Sequence, residues 1–405
     1  MRRIALFLAA VGCATAQNPA GFNYDEAKVP PYQLPDVLSG AKSRRDWETK
    51  RRPELLKLFE TEMYGRMEPR LKSTVFETVA VDESAYGGKA VRKRITALFA
   101  GKKDGPKMEI LLYLPKQARG PVPVFVGLNF NGNHSVNDDG AVPVNEGWFR
   151  GNKTPARASE SSRWAIDLAL ERGYAVATVY YGDIDPDFDD GFQNGIHPLF
   201  KRTGGGDDFG AVGAWAWGLS RVLDYLETDK AVDAKRAIVM GHSRLGKASL
   251  WAGATDPRWA MVISNDSGAG GAALSKRIFG ETVGRLNTSF PHWFCANFRK
   301  YNDAEEKLAF DQHQLIALIA PRPVYIASAQ EDLWADPKGE FLGGYHASPV
   351  YRLYGKEGLA AKEMPGIHEP VRSVIGYHIR AGKHDVTRYD WEQYLIFADQ
   401  YLGKR

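Results

Sequence analysis

The sequence predicts an α/β protein with one central, mostly parallel sheet that starts with antiparallel strands and carries helices on both faces. Two observations point there. From Val122 onward, short runs rich in Val, Ile and Ala alternate with helical stretches, as expected for strands buried on both faces of a parallel sheet. Before Val122, three strand-like runs succeed one another with only turns between them, which suits antiparallel pairing.

In chain order, residues 19–43 are rich in Pro and turn formers and should wrap the surface with little regular structure. Residues 47–64 read helical. Strands are expected at 73–81, 92–99 and 108–114, then at 122–130, 174–181, 236–240, 260–264, 323–329 and 375–379. Candidate crossover helices lie at 163–172, 211–227, 247–254 and 310–319. That succession is the plan of the α/β hydrolases. No Pro/Ser-rich linker, internal repeat or sustained heptad pattern divides the chain. Residues 17–405 are therefore expected to form a single catalytic domain with loop insertions and a surface-wrapping N-terminal extension.

Residues 1–16 begin with Met1-Arg2-Arg3, pass through a short apolar run and leave through the small residues Ala14 and Ala16, the pattern of a secretory signal peptide. The expected location is secreted or periplasmic. Cys13 offers a lipid anchor as a minor alternative, although Ala10 is a poor fit for the large aliphatic residue wanted three positions earlier. No later run reaches the roughly 18 apolar residues of a membrane helix. Once the leader is removed, Cys295 is the one cysteine left, so packing, not a disulfide, must supply stability. Lys plus Arg number 53 against 49 Asp plus Glu, and two of those arginines lie in the leader. So small a surplus, without a basic cluster, is no nucleic-acid signature. The 10 Trp, 18 Tyr and 19 Phe serve the core first, yet such rings also build sugar-binding surfaces and lend weight to a carbohydrate substrate. A monomer is expected.

The chemistry centres on Arg236-Ala237-Ile238-Val239-Met240 running into Gly241-His242-Ser243-Arg244-Leu245-Gly246-Lys247 and an Ala-rich helix. A strand that ends in Gly-His-Ser and passes at once into a helix is the sequence image of a nucleophile elbow, a tight turn that lifts the serine hydroxyl above the carboxyl edge of the sheet. The helix aims its first amides at charge developing on an attacked carbonyl. A serine that merely capped that helix would explain neither the two glycines nor the strand. Ser243 is therefore the candidate nucleophile. The second glycine falls three residues after the serine instead of two, which puts Arg244 and Leu245 in the turn. A guanidinium there is costly unless it faces an anion, either a substrate carboxylate or the tetrahedral oxyanion. Lys247, one helical turn on, projects to the same side. The two cations favour a polar, oxygen-rich substrate over a lipid.

Of the nine histidines, His384 sits in the loop directly after the last strand, where this fold carries its general base. His378 alternates within that strand and should be packed or ligand-facing. His242 would have to reach backwards, and His346 and His368 are weak loop candidates. Two strand ends offer the acid. Asp332 follows 323–329, the ordinary acid position between nucleophile and histidine. Asp266 opens Asp266-Ser267-Gly268-Ala269-Gly270-Gly271, one strand closer to Ser243. Asp332 is the first candidate and Asp266 the alternative or second acid, and whichever lies outside the triad is expected to hold Arg244. Loops 137–155 and 183–208 look like pocket rims, and Asn129, Asn131, Asn133 and His134 are pocket-wall candidates.

These segments resemble the glucuronoyl esterases of bacterial type, carbohydrate esterases that cleave esters between glucuronic acid side chains of xylan and lignin alcohols. The likeness rests on the Gly241 to Lys247 elbow, the Asp266 to Gly271 run, and Ile375-Gly376-Tyr377-His378-Ile379-Arg380 leading to His384, and it extends over about residues 110–402. It implies Ser243 as nucleophile, His384 as base and Arg244 as oxyanion stabiliser, with no metal or other cofactor. It further implies that Lys247, Glu281 and Trp334 contact the uronate ring. Taken alone, Glu281 reads equally as a helix-start carboxylate and Trp334 as core. Family members carry the acid at either position, and acids stand at both here. The shorter Asp266, where fungal members have Glu, favours Asp332. The expected substrate is a glucuronate or 4-O-methyl-glucuronate ester of xylan. Two rivals stand beside it. An acetyl xylan esterase, or another exported carbohydrate esterase, would give Arg244 and Lys247 little to do. A non-catalytic carbohydrate-binding protein would keep the elbow without turnover.

Overall fold

The computed structural model describes residues 18–67 and 71–403. The expected leader, with Cys13, lies outside them. Among the described residues ten strands form one sheet: β1 (Val75–Ser84), β2 (Ala90–Leu98), β3 (Lys107–Pro115), β4 (Val122–Asn129), β5 (Ala175–Tyr180), β6 (Val232–His242), β7 (Met261–Asn265), β8 (Val324–Ala329), β9 (Val371–Arg372) and β10 (Ile375–Arg380). Their spatial order is β1-β2-β3-β5-β4-β6-β7-β8-β10-β9. The first three pairings are antiparallel, those from β5 through β10 are parallel, and β9 closes the far edge antiparallel. The expected antiparallel start and parallel core are both present, and the fold is that of an α/β hydrolase. The hydrophobic pattern contains no sign of β9, since two residues carry no period.

Every residue of β4, β5, β7, β8 and β10 is buried, which accounts for the mostly apolar composition of these strands. Helices Ala211–Leu226 and Arg244–Thr255 cover one face. Helices Ile166–Glu171 and Arg388–Leu402 cover the other, where Trp391 meets Phe125 and both Tyr394 and Phe397 meet Tyr325. Residues 19–43 hold one short 3-10 turn, Glu26–Lys28, in keeping with their proline content.

Two long helices exceed the expectation. Pro337–Leu353 contains Gly343, Gly344 and Pro349, residues that erase a helical signature. Its glycine has a packing reason, because a Cβ on Gly343 would stand 2.1 Å from the Ala272 carbonyl oxygen. Arg388–Leu402 starts at Thr387 with a capping box closed by Asp390.

The register decides where the site forms. His242 lies opposite Asn265, Asn265 opposite Ala327, and Ala329 opposite Arg380. The carboxyl ends of β6, β7, β8 and β10 are thus level. Ser243 and Asp266 follow their strands at once, and Asp332 and His384 follow within a few residues.

Candidate active site

β6 ends at His242 and the next helix begins at Arg244, which leaves Ser243 alone in the turn at φ 58°, ψ −131°. A residue with a side chain is strained there. Hydrogen bonds hold it in place. The Ser243 N–H donates to the Asn265 carbonyl at 2.9 Å, while the Ser243 carbonyl accepts from the Gly246 N–H at 2.8 Å and the Lys247 N–H at 3.2 Å. Two glycines make the turn possible: a Cβ on Gly241 would lie 2.0 Å from the Leu245 carbonyl oxygen, and one on Gly246 would lie 2.9 Å from the Ser267 Cβ.

His384 Nδ1 stands 2.6 Å from Asp332 Oδ2, and the Asp332 side chain is buried. A carboxylate acceptor at Nδ1 keeps the proton there and leaves the Nε2 lone pair free. The His384 ring lies 4.5 Å from the ring of His242, the residue just before Ser243. His242 itself is packed, with Nδ1 against Asn265 Oδ1 at 2.6 Å. Burial, followed by His384 and Arg163, holds its imidazole well below the ordinary range, so it stays neutral.

Asp266 completes the cluster: one side-chain atom each of Asp266, Asp332 and His384 lies within 4.8 Å of the others. Its Oδ2 accepts weakly from the Asp385 N–H at 3.3 Å and faces Arg380 at 3.5 Å, while its Oδ1 is buried without a partner. Burial, then the charges of Asp332 and Glu340, push its carboxyl well above the usual range against the pull of Arg380. The expectation that the second acid holds Arg244 is wrong. Arg244 Nη1 is paired instead with Asp187 Oδ2, on the loop after β5, and both triad-acid candidates are engaged elsewhere, Asp332 with His384 and Asp266 with Arg380.

Lys247 is buried, and its ammonium donates to the Ser267 carbonyl at 2.9 Å, the Ala269 carbonyl at 2.5 Å and Glu281 Oε2 at 2.9 Å. All three donors are thus engaged, and Lys247 and Glu281 form a pair. Trp334 is half-buried, held by its N–H to Asn18 Oδ1 at 3.1 Å and by the edge of Phe22 at 4.9 Å.

The loop carrying His384 is clamped by residues that the hydrophobic pattern does not single out. Arg380 donates to the carbonyls of Ala381, Lys383 and Asp385 and to Asp390, which also accepts from His378 Nε2 at 2.8 Å. His378 is therefore packed. Glu340 supports the Asp266 turn by accepting from the Ser267 N–H at 2.7 Å, the Gly268 N–H at 3.1 Å and the Ser328 hydroxyl at 2.6 Å. The four pocket-wall candidates bond within the loops, and Asn129 also lines a small cavity together with Gly241 and His242. Asn129 donates to Asn133 and Thr178, Asn131 to Glu160, and Asn133 to the Glu109 carbonyl, while His134 Nε2 meets the Pro155 carbonyl. His346 packs near His313, and His368 Nε2 accepts from the Ala381 N–H.

A family model described as "Glucuronyl esterase, fungi" matches residues 158–355, which include the elbow, Asp266 and Asp332. Carbohydrate esterase MZ0003, from an unknown prokaryotic organism, is 52% identical over 403 residues, covering 95% of this chain and 93% of its own. The solved glucuronoyl esterase from Solibacter usitatus superposes with a TM-score of 0.90 at 52% identity, covering 93% of this chain and 100% of that one. The 4-O-methyl-glucuronoyl methylesterase 1 of Wolfiporia cocos is 30% identical over 288 residues, 65% of this chain and 67% of its own. With more than half its residues identical to two such proteins over nearly the whole length, the chain belongs to the glucuronoyl esterases, carbohydrate esterase family 15, and is a carboxylic ester hydrolase.

Proposed function

We propose that the protein hydrolyses the ester between glucuronate or 4-O-methyl-glucuronate of xylan and lignin alcohols, through an acyl-enzyme on Ser243. The observation that carries this reading is the His384–Asp332 pair at 2.6 Å, set beside a strained Ser243 at the start of a helix. His384 Nε2 takes the hydroxyl proton as Ser243 attacks the C6 carbonyl of the uronate, and Asp332 stabilises the imidazolium. The tetrahedral oxyanion meets the Arg244 guanidinium and the first amides of the helix, which have no intrahelical partners. His384 then returns the proton to the leaving alcohol. Water, activated by the same histidine, releases free uronate and regenerates Ser243. Asp266, whose carboxyl is pushed well above the usual range by burial and by the charges of Asp332 and Glu340, acts as the second acid. Glu281, held in place by Lys247, and Trp334 receive the sugar ring.

The test is turnover of benzyl and methyl glucuronate esters beside acetylated xylan, with fluorophosphonate labelling of Ser243. Glucuronate esters should be cleaved, Ser243→Ala should abolish both cleavage and labelling, and a chelator should leave the rate unchanged. Efficient cleavage of acetyl esters with none of the glucuronate esters would sink the reading in favour of an acetyl xylan esterase. An unlabelled Ser243 would favour a binding protein.

A further inference from the structure

An arginine beside a nucleophile is useful only if its plane is fixed. Its long side chain has many rotamers, and its charge is expensive to leave half-buried. The loop after β5 addresses both costs. It reads Asp183-Ile184-Asp185-Pro186-Asp187-Phe188-Asp189-Asp190, and these aspartates differ in what they do. Asp185 meets His197 Nε2 at 3.0 Å, and Asp189 and Asp190 accept from amides of their own loop. Asp187 alone turns toward the elbow, with its side chain fully buried.

Both of its oxygens are saturated. Oδ1 accepts from His292 Nε2 at 2.9 Å and from the Trp293 indole N–H at 2.7 Å. Oδ2 accepts from the Tyr181 hydroxyl at 3.3 Å and from Arg244 Nη1. Burial alone would raise this carboxyl, but His292, Arg244 and Trp293 outweigh it and hold it well below the ordinary range. The guanidinium also lies against a stacked pair of rings, 4.7 Å from Trp293 and 5.3 Å from Phe290, whose centroids are 3.8 Å apart. Arg244 Nε is buried and has no partner.

We propose that Asp187 is a positioning residue of the esterase, which holds the Arg244 guanidinium in the orientation that meets the oxyanion and is itself oriented by His292 and Trp293. This rests on the reading of Arg244 as the oxyanion cation. Asp187 touches neither nucleophile nor base, so its whole effect on the reaction passes through Arg244.

A double-mutant cycle on a benzyl glucuronate ester tests this, with Tm measured for every variant. Arg244→Ala should lower kcat by about 10²–10³, the scale of a lost oxyanion donor. Asp187→Asn should lower kcat by about 10–10², with KM within about twofold. The double variant should be no slower than Arg244→Ala alone, because a residue acting only through Arg244 has nothing left to position. If the two losses multiply, or if Asp187→Asn keeps the wild-type kcat, the positioning role is overturned while the oxyanion reading stands. If Arg244→Ala itself keeps its kcat, the oxyanion reading fails and the proposal falls with it. Should Asp187→Asn not accumulate folded, His292→Gln takes its place. It should cost a few-fold in kcat, and that loss should vanish in the Arg244→Ala background; no loss, or a loss that persists there, overturns the role.

Discussion

Two acids beside one imidazole need not share its work equally. Asp332 is hydrogen-bonded to His384, whereas the Asp266 carboxyl is pushed well above the usual range by burial and has one oxygen without a partner. Asp332→Asn should therefore lower kcat by about 10³–10⁴, the scale of the serine-protease triad taken as a guide, and Asp266→Asn by about 10–10². Kinetics of both single variants and the double on a benzyl glucuronate ester decide it. Equal losses, or a larger loss at Asp266, would exchange the roles. A stability measurement complements the kinetics. An unfolded aspartate releases its proton near pH 4, but folded Asp266 holds it to higher pH, so the native state binds more protons above pH 4. Its contribution is fully present below pH 4 and is lost as pH rises toward the folded value. The Tm of Asp266→Asn should consequently fall less than that of the wild type between pH 4 and pH 7. Both candidate acids were visible in the sequence as acidic residues after strands, but their division of labour was not, because it depends on which carboxylate faces His384 Nδ1.

At the scale of elements, the elbow is the most legible part of the molecule, since its demands are local. A strand, a strained serine and a helix start must fit within a few residues, and only glycine fits at Gly241, where a Cβ would lie 2.0 Å from the Leu245 carbonyl oxygen. Gly241→Ala should destabilise the protein by about 1–3 kcal/mol and abolish turnover, because the clash can be relieved only by moving the Ser243 turn. Urea unfolding and an activity assay check this, and an active, equally stable variant would contradict it. Helix Pro337–Leu353 is the opposite case. Its internal glycines and proline weaken the local signal, while Gly343 lets it approach Ala272 and Glu340 bonds the turn after β7. Tertiary contact, not propensity, makes that segment helical. Asp187 was equally hidden, one aspartate among several in its loop until the fold turned it toward Arg244.

Across the whole molecule, the sheet register brings four chain-distant residues to one edge, and the N-terminal segment closes around the acid loop. Asn18 and Phe22 contact Trp334, and the Asn23 carbonyl accepts from the Gly280 N–H at 2.9 Å. Among the described residues no helix is long and apolar enough to cross a membrane. We propose that the chain is exported, on the strength of the charged start, apolar run and small-residue exit at 1–16. Protein recovered from the exported fraction should begin at Gln17 when sequenced from its N-terminus. An intact Met1 there would count against cleavage, and a lipid-modified Cys13 would mean anchoring.

The alternation of strands and helices, the elbow, the nucleophile and base candidates and the family are legible in the amino-acid order, because each rests on short-range spacing or on motif identity. That order also narrows the acid to two positions. It takes the folded chain to show that Asp332 is the carboxylate facing His384, that Asp187 and not a triad acid holds Arg244, and that Lys247 spends its donors on Ser267, Ala269 and Glu281. Those pairings join loops far apart in the chain, and which partner wins depends on burial and the direction of side chains, quantities that spacing along the sequence does not carry.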